Sequence, residues 1–196
     1  MQWVLGMYGE GDFFTMKGVI EEFFEAVGIN GRVHYDPKAD HPYLHPGRKA
    51  DIIYEGVTVG YLGEIHPDVA DQYKIGEKAY VGVIDMPALI PLTTFDRKYT
   101  GLAKFPAVSR DLSMVVPKEI LAGQIEDMIV QRSGKILESC QLFDIYEGSQ
   151  IAEGFKSMAY SITFRAKDHT LEEKEITSVM NKILNGLSSM GIELRA

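Results

Sequence analysis

Cysteine is almost absent from this sequence, since Cys140 is the only one among 196 residues. A single cysteine excludes an internal disulfide framework and suits a reducing compartment. No uninterrupted apolar run approaches the roughly 18–20 residues that a membrane-spanning helix needs. No basic stretch precedes an apolar core at the N-terminus, so a signal peptide is not expected. We therefore expect a cytoplasmic protein that does not partner with a membrane.

Basic residues are also scarce. Lys and Arg number 20 against 28 Asp and Glu, which gives a formal net charge of −8, whereas general nucleic-acid binders usually carry a basic footprint. The deficit is uneven, because residues 1–98 carry a net charge of −6 and residues 99–196 carry −2. The first half is therefore a poor candidate for RNA contact, while the second half can still hold a local basic surface.

Histidines invite a metal-site interpretation that their surroundings oppose. His41 and His45 have the spacing of a metal-binding pair on a helix, but Pro42, Pro46 and Gly47 prevent a helix there. Without helical geometry this spacing does not bring two ligands to one ion. Structural loop histidines are the favoured reading, and a metal hydrolase centred on them is kept as an alternative.

Other catalytic patterns are equally weak. The Ser, His and Asp residues have no nucleophile elbow around them. The Gly60-x-x-Gly63 pattern lies in a predicted strand hairpin and lacks the lysine of a phosphate loop. Glu64 near His66 suits acid–base chemistry, yet a proline after His66 equally suits a helix N-terminus. We expect no catalytic residue and no metal site.

Residues 1–98 predict a mixed α+β unit. A helix is expected over 15–27, because its apolar residues fall on one stripe, and a short helix is expected to open at His66-Pro67. Strands are expected at 2–8, 32–37, 50–55, 57–65 and 79–86, with a hairpin turn at Gly56. Since one long helix must cover the whole sheet, we expect a truncated domain. Residues 87–103, which contain prolines, are predicted to be a connector.

Residues 99–196 follow a more regular pattern. Strands are predicted at 108–116, 141–147, 156–166 and 192–195, with helices over 120–132 and from a capping box at Thr170 and Glu173. The order β-α-β-β-α-β is that of a ferredoxin-like antiparallel sandwich, in which two helices cover one sheet face. The fold class is therefore α+β throughout.

The other face of that sheet should be open. Alternation along the strands predicts the following outward residues: Ser113, Val115, Leu142, Asp144, Tyr146, Ser157, Ala159, Ser161, Thr163, Arg165, Glu193 and Arg195. Four-stranded sheets of this kind can bind single-stranded RNA by stacking and hydrogen-bonding splayed bases, although a solvated face or a protein contact is also open. The candidate RNA-binding residues are Ser113, Asp144, Tyr146, Ser157, Ser161, Arg165 and Arg195.

Several stretches, in order, resemble the C-terminal part of the bacterial phenylalanyl-tRNA synthetase beta-subunit family. The second half is similar to its ferredoxin-fold anticodon-binding domain through FPAVSRDLS (105–113), LFDIY (142–146), Lys156-Ser157, FRAKDHTL (164–171) and the terminal LR (194–195). The first half is similar to the tail of its class II synthetase-like core through DFFTMKG (12–18), LHPGR (44–48) and GEIHP (63–67).

This resemblance implies a function. Residues 1–98 would belong to a non-catalytic class II-like core that supplies a subunit interface, and residues 99–196 would bind the anticodon stem-loop of tRNA(Phe). The parent complex would be a heterotetramer of two alpha and two beta subunits, a ligase that charges tRNA(Phe) with phenylalanine using ATP and Mg²⁺. The fragment itself would hold no cofactor. The family's catalytic centre lies in the alpha subunit.

Arg110 and Asp111 stand side by side where the strand over 108–116 enters the sheet. The resemblance makes them part of a family signature, and we predict a structural ion pair rather than a catalytic dyad. Arg110 shares the parity of the buried residues, which indicates internal pairing. The alternatives to RNA binding are a ferredoxin-like small-molecule sensor and a protein-interaction module.

Overall fold

The computed structural model describes residues 1–29, 31–96, 99 and 101–195. The chain divides into two units, Met1–Tyr99 and Thr100–Ala196. The sequence placed the division between residues 98 and 99. Mixed α+β structure with antiparallel sheets, as predicted, is found in both units.

The first unit is built on an antiparallel sheet. Its described strands are β1 (Gln2–Tyr8), β2 (His34–Asp36), β3 (Leu44–Tyr54), β4 (Val57–Ile65) and β5 (Ala79–Asp85). They lie in the order β1-β5-β4-β3-β2. The helices are α1 (Phe13–Ala26), α2 (Pro67–Gln72) and α3 (Met86–Leu89), the last followed by a 3-10 turn, Ile90–Leu92. The predicted hairpin is confirmed, with Glu55 and Gly56 both at positive φ, as tight hairpin turns require.

Helix α1 covers one face of this sheet. It begins at Phe13, two residues earlier than predicted, because the Asp12 side chain accepts the backbone N–H of Thr15 at 2.8 Å and caps the first turn. Met16, Ile20 and Phe24, spaced four apart, are buried against the sheet. This spacing places one stripe of the helix in the core.

The predicted connector over 87–103 is wrong at its start. Helix α3 and the 3-10 turn occupy its first part. Pro87 lies in the first helical turn, where a missing backbone N–H costs nothing, and Asp85 accepts the backbone N–H of Ala88 at 3.4 Å. The prolines here begin short helices rather than marking irregular chain.

The second unit has the predicted β-α-β-β-α-β order. Its elements are β6 (Val108–Pro117), α4 (Ala122–Ser133), β7 (Leu137–Tyr146), β8 (Phe155–Phe164), α5 (Glu173–Ser189) and β9 (Glu193–Leu194). The sheet order is β7-β8-β6-β9. Core side chains from the strands and both helices form one buried cluster on one side of the sheet, so the helices cover that face.

Two boundaries in this unit differ from prediction. Strand β7 begins at Leu137, four residues earlier than expected. Helix α5 begins at Glu173, and its cap is Glu172, whose backbone N–H is accepted by the Glu175 side chain at 2.9 Å. The predicted capping box at Thr170 is therefore wrong, because a second residue pair with the same spacing lies two positions later.

Candidate nucleic-acid interface

Rows of outward side chains cross the open face of the second unit's sheet. Strand register places Tyr146 opposite Ser157, Ser157 opposite Val115, and Val115 opposite Glu193. The next row runs from Asp144 through Ala159 to Ser113. A third row contains Gln141, Ser161 and Asp111. The face is thus formed mainly by small and polar groups, with one aromatic ring at its β7 end.

A β-bulge in β7 determines which of its side chains reach this face. Leu142 pairs with Tyr160, whereas Asp144 pairs with Ala159, so Phe143 is an extra residue in the ladder. A bulge of this kind reverses the alternation beyond it. Leu142 consequently packs against the helix-side core. Its predicted outward orientation is wrong, while Asp144 and Tyr146 lie on the open face.

The Tyr146 ring is held at one corner of the face and is 38% exposed. Gly148 lies directly against it, since a Cβ at this position would overlap the Tyr146 hydroxyl and ring atoms. The absence of a side chain at Gly148 therefore leaves space for the ring. A partly exposed ring with one free side can stack on a base.

Asp144 and Ser113 are both exposed on the row next to Tyr146. The ionised carboxylate only accepts hydrogen bonds, whereas the serine hydroxyl both donates and accepts. Ser161, in the third row, is half-buried. These three side chains therefore offer a mixed set of hydrogen-bonding groups to a ligand lying across the strands.

Ser157 is covered, in contrast to the other candidate serine residues. It is 4% exposed, and its Oγ accepts a hydrogen bond from Arg195 Nη1 at 3.3 Å. Arg195 Nη2 also donates to Gln150 Oε1 at 3.5 Å. The guanidinium thus crosses from the end of β9 to lie over β8. Gln150 was missed from the sequence because a turn residue has no strand parity to place it.

Arg165 is tied to its own domain. Its Nε lies 3.0 Å from both oxygens of Glu138, and its Nη1 donates to the Phe105 carbonyl at 2.5 Å. The Arg165 side chain is 28% exposed. These contacts join the residue that follows β8 to the start of β7 and to the segment before β6, so a role in RNA binding would be additional to this structural one.

The prediction that Arg110 forms a structural ion pair is confirmed, but its partner is Glu173 and not the neighbouring Asp111. Arg110 Nη2 donates to both oxygens of Glu173 at 2.9 Å, which ties β6 to the first turn of α5. Asp111 is exposed on the open face, opposite Ser161. Adjacent residues of a strand point to opposite faces, so Asp111 and Arg110 lie on opposite sides of the sheet.

The histidines of the first unit are engaged in local structure. His41 contacts Asp51 Oδ1 through Nε2 at 2.8 Å and the Tyr43 hydroxyl through Nδ1 at 3.1 Å. It stacks on Tyr61 at 4.0 Å between ring centroids, and burial together with a hydrogen bond to Tyr43 raises the pKa of Tyr61 to about 12. His66 caps α2 by accepting the Asp68 N–H at 3.2 Å.

Two further observations bear on function. Among the described residues, no three His, Cys, Asp or Glu side chains are grouped so that they could hold a metal ion. Across the same residues, no helix is both long enough and apolar enough to span a membrane.

Comparison with known proteins gives matches for both units. Residues 103–195 match the family described as ferredoxin-fold anticodon binding domain. Residues 3–86 match the family described as phenylalanyl tRNA synthetase beta chain CLM domain. The two matches lie in the two units and leave only short segments uncovered.

Curated relatives match nearly the whole chain. The phenylalanine–tRNA ligase beta subunit of Clostridium acetobutylicum is 41% identical over 192 residues, which cover 97% of this chain and 24% of the relative. That of Clostridium tetani is 43% identical over 193 residues, covering 98% and 24%. That of Lactiplantibacillus plantarum is 36% identical over 185 residues, covering 94% and 23%. The chain spans about a quarter of the length of these relatives.

Proposed function

The chain belongs to the family of phenylalanyl-tRNA synthetase beta chains, and on that premise we propose that its second unit binds the anticodon stem-loop of tRNA(Phe). The proposal depends on one juxtaposition: the Tyr146 ring, the Asp144 carboxylate and the Ser113 hydroxyl occupy neighbouring rows of an uncovered sheet face. This face lies within the residues that match the anticodon-binding family.

Stacking and edge recognition would be divided between different side chains. A base stacked on Tyr146 would gain about 1–3 kcal/mol. Asp144 can accept a hydrogen bond from a base amino or imino group, but it repels phosphate, so it serves only a splayed base. Ser113 and Ser161 would supply further donors and acceptors. Ser157 would offer its hydroxyl to a base only after Arg195 has released it.

Electrostatics would contribute less to affinity than in a general RNA binder. Each phosphate neutralised by Lys or Arg adds to the salt dependence of binding. Arg195 and Arg165 are the candidate basic contacts, and both already make contacts within the unit. Lys156 lies on the helix side, opposite Val116, and donates to the Lys118 carbonyl. We expect weak isolated affinity and a shallow dependence on salt.

The first unit is proposed to be a non-catalytic subunit-interface module. In this proposal the parent assembly is a heterotetramer of two alpha and two beta subunits that attaches phenylalanine to tRNA(Phe) with ATP and Mg²⁺. The names of the relatives, each a beta subunit of phenylalanine–tRNA ligase, support this assignment. The chain itself would bind no cofactor, and chemistry would take place in the alpha subunit.

The proposal is tested by titrating the chain with a fluorescent tRNA(Phe) anticodon stem-loop and with loops carrying altered or scrambled anticodons. We expect Tyr146→Ala to weaken cognate binding roughly 5- to 150-fold, which corresponds to about 1–3 kcal/mol of stacking. Tyr146→Phe retains the ring and should bind nearly as the parent chain does. Asp144→Ala should instead reduce the ratio of cognate to altered-loop affinity.

Asp111→Ala is the matched control, since it removes an identical charge from the same face at an exposed position two strands from β7. It should leave discrimination between loops unchanged. Equal binding of cognate and scrambled loops by the parent chain would refute the proposal. If the Asp144 and Asp111 variants both lost the same affinity for every loop, the residues that discriminate between anticodons would lie outside this part of the face.

A further inference from the structure

A turn between β7 and β8 holds Gln150 beside the open face of the second unit. Within this turn the Ile151 N–H donates to the Gly148 carbonyl at 3.0 Å. Gly148 also lies directly against the Tyr146 ring. The turn that positions the aromatic ring therefore also holds the backbone of Gln150, which is exposed.

Arg195 joins this turn to the strands of the face. Its backbone N–H donates to the Ser113 carbonyl at 2.9 Å, which anchors the residue beside β6. Its Nη1 donates to Ser157 Oγ at 3.3 Å, and its Nη2 donates to Gln150 Oε1 at 3.5 Å. Because one guanidinium reaches both acceptors and Ser157 lies opposite Tyr146, Gln150 lies at the same corner of the face as the Tyr146 ring.

The guanidinium determines which way the Gln150 amide is turned. A guanidinium has five N–H donors and no acceptor, so the amide can form a hydrogen bond with it only through Oε1. The opposite orientation would place two donor groups against each other. With Oε1 held by Arg195, the amide NH2 points away from the guanidinium, and within the described part of the chain no residue accepts a hydrogen bond from it.

Two exposed side chains of opposite hydrogen-bonding character therefore lie near the Tyr146 ring. The Asp144 carboxylate, in the neighbouring row, only accepts hydrogen bonds, whereas the NH2 group of Gln150 only donates them. Ser157 is 4% exposed beneath Arg195, so it does not compete with Gln150 while the guanidinium stays in place. A base stacked on the ring would be within reach of both an acceptor and a donor.

We propose that Gln150 is a specificity-determining residue for the anticodon loop, and that its NH2 group donates to an acceptor on the edge of the base that stacks on Tyr146. Arg195 acts as a positioning residue, because it holds the amide with its donor outward. The Asp144 carboxylate has no hydrogen to give to a ring nitrogen or a carbonyl oxygen, and the amide supplies it. This inference rests on the proposed binding of the stem-loop to the open face.

Gln150→Glu tests the amide donor, because the new carboxylate still accepts from Arg195 but has no hydrogen to donate. Gln141→Glu is the matched control, since it makes the same change at an exposed position of the same face, opposite Ser161. We expect Gln150→Glu to weaken binding of a fluorescent tRNA(Phe) anticodon stem-loop roughly 3- to 10-fold more than the control does, as the loss of one net hydrogen bond predicts.

The acceptor is identified with stem-loops in which one anticodon base at a time lacks a ring-nitrogen or carbonyl acceptor, as in a 7-deazapurine. One of these loops should show no additional loss with Gln150→Glu, because the hydrogen bond is already absent. The same additional loss for every analogue would overturn the proposal. A parent chain that binds cognate and scrambled loops equally would defeat the proposed function itself, whereas a discriminating parent chain with equal losses in the Gln150 and Gln141 variants would refute only the role of Gln150.

The positioning role of Arg195 is tested with a double-mutant cycle on the same stem-loop. Arg195→Met removes the guanidinium and leaves the amide free to turn, so Gln150→Ala should cost less affinity in that background than in the parent chain. Arg195→Lys, which also offers only donors, should restore most of this cost. Equal costs of Gln150→Ala in all three backgrounds would show that Arg195 does not position the amide.

Discussion

Replacing Arg165 with alanine separates an anchor of the fold from a contact to RNA. The ion pair with Glu138 joins side chains that are 28% and 40% exposed, and such pairs contribute about 0.2–1 kcal/mol. The hydrogen bond from Nη1 to the Phe105 carbonyl is part-buried, and a bond from a charged donor contributes about 1.5–3 kcal/mol. Allowing for partial solvation, we expect Arg165→Ala to lower the free energy of unfolding by about 2 kcal/mol.

A loss of this size should lower the Tm of the second unit by about 10 °C, as measured by scanning calorimetry of the chain. Glu138→Ala removes the ion pair alone and should cost less than about 1 kcal/mol. Lys167→Ala, which removes the same charge from a neighbouring exposed position, is the control and should leave the Tm nearly unchanged. An Arg165→Ala variant with the same Tm as the Lys167→Ala control would refute the anchoring role.

The RNA hypothesis for Arg165 makes a separate prediction. If Arg165 contacts a phosphate, Arg165→Ala should weaken the binding of every anticodon loop by the same factor and reduce the salt slope of binding by about 1. Titrations must be made well below the lowered Tm, because a partly unfolded variant would lose affinity for every loop as well. An unchanged salt slope would leave Arg165 with its structural contacts alone.

Two other perturbations test local arrangements. Gly148→Ala should displace the Tyr146 ring, because the added methyl group overlaps it. The affinity for the cognate stem-loop should then fall toward that of Tyr146→Ala, and an unchanged affinity would mean that the ring position does not matter. Hydrogen bonds to Asp168, and to a lesser extent to Glu175, raise the pKa of His169 above 6.5. The contribution of His169 to stability is therefore present below pH 6.5 and is lost as the pH rises through the raised pKa. His169→Gln should therefore flatten the fall in Tm above pH 6.5, and an identical pH profile in both chains would contradict this assignment.

Sequence patterns predicted those parts of the fold that local periodicity controls. In β6, Leu112, Met114 and Val116 are buried and Ser113 is exposed, as the alternation indicated. The stripe of α1 and the order of elements in the second unit were predicted for the same reason, since one buried face imposes a period of 2 or 3.6 residues. The open face and its residues Asp144 and Tyr146 followed from that order.

The features that the sequence did not reveal depend on contacts between distant residues. Strict alternation placed Leu142 on the open face, because a bulge is visible only once two strands are paired. The cover over Ser157 comes from Arg195, which is 38 residues away in sequence. The partner of Arg110 is likewise 63 residues away, and a charged neighbour at Asp111 gave no indication of it.

The unpaired residue Phe143 makes β7 tolerant of the loss of one residue. Many substitutions at this exposed position would leave the pairing of both halves of the strand intact. Deleting the residue would leave Leu142 opposite Tyr160 and Asp144 opposite Ala159 in an unbroken ladder, so Leu142 would stay on the helix side and Asp144 and Tyr146 on the open face. A second deletion would find no bulge to absorb it and would move part of the strand to the other face, because a shift of one position exchanges the two faces of a strand. The bulge therefore lets β7 lose one residue without changing which side chains the open face presents, whereas a further deletion would change them.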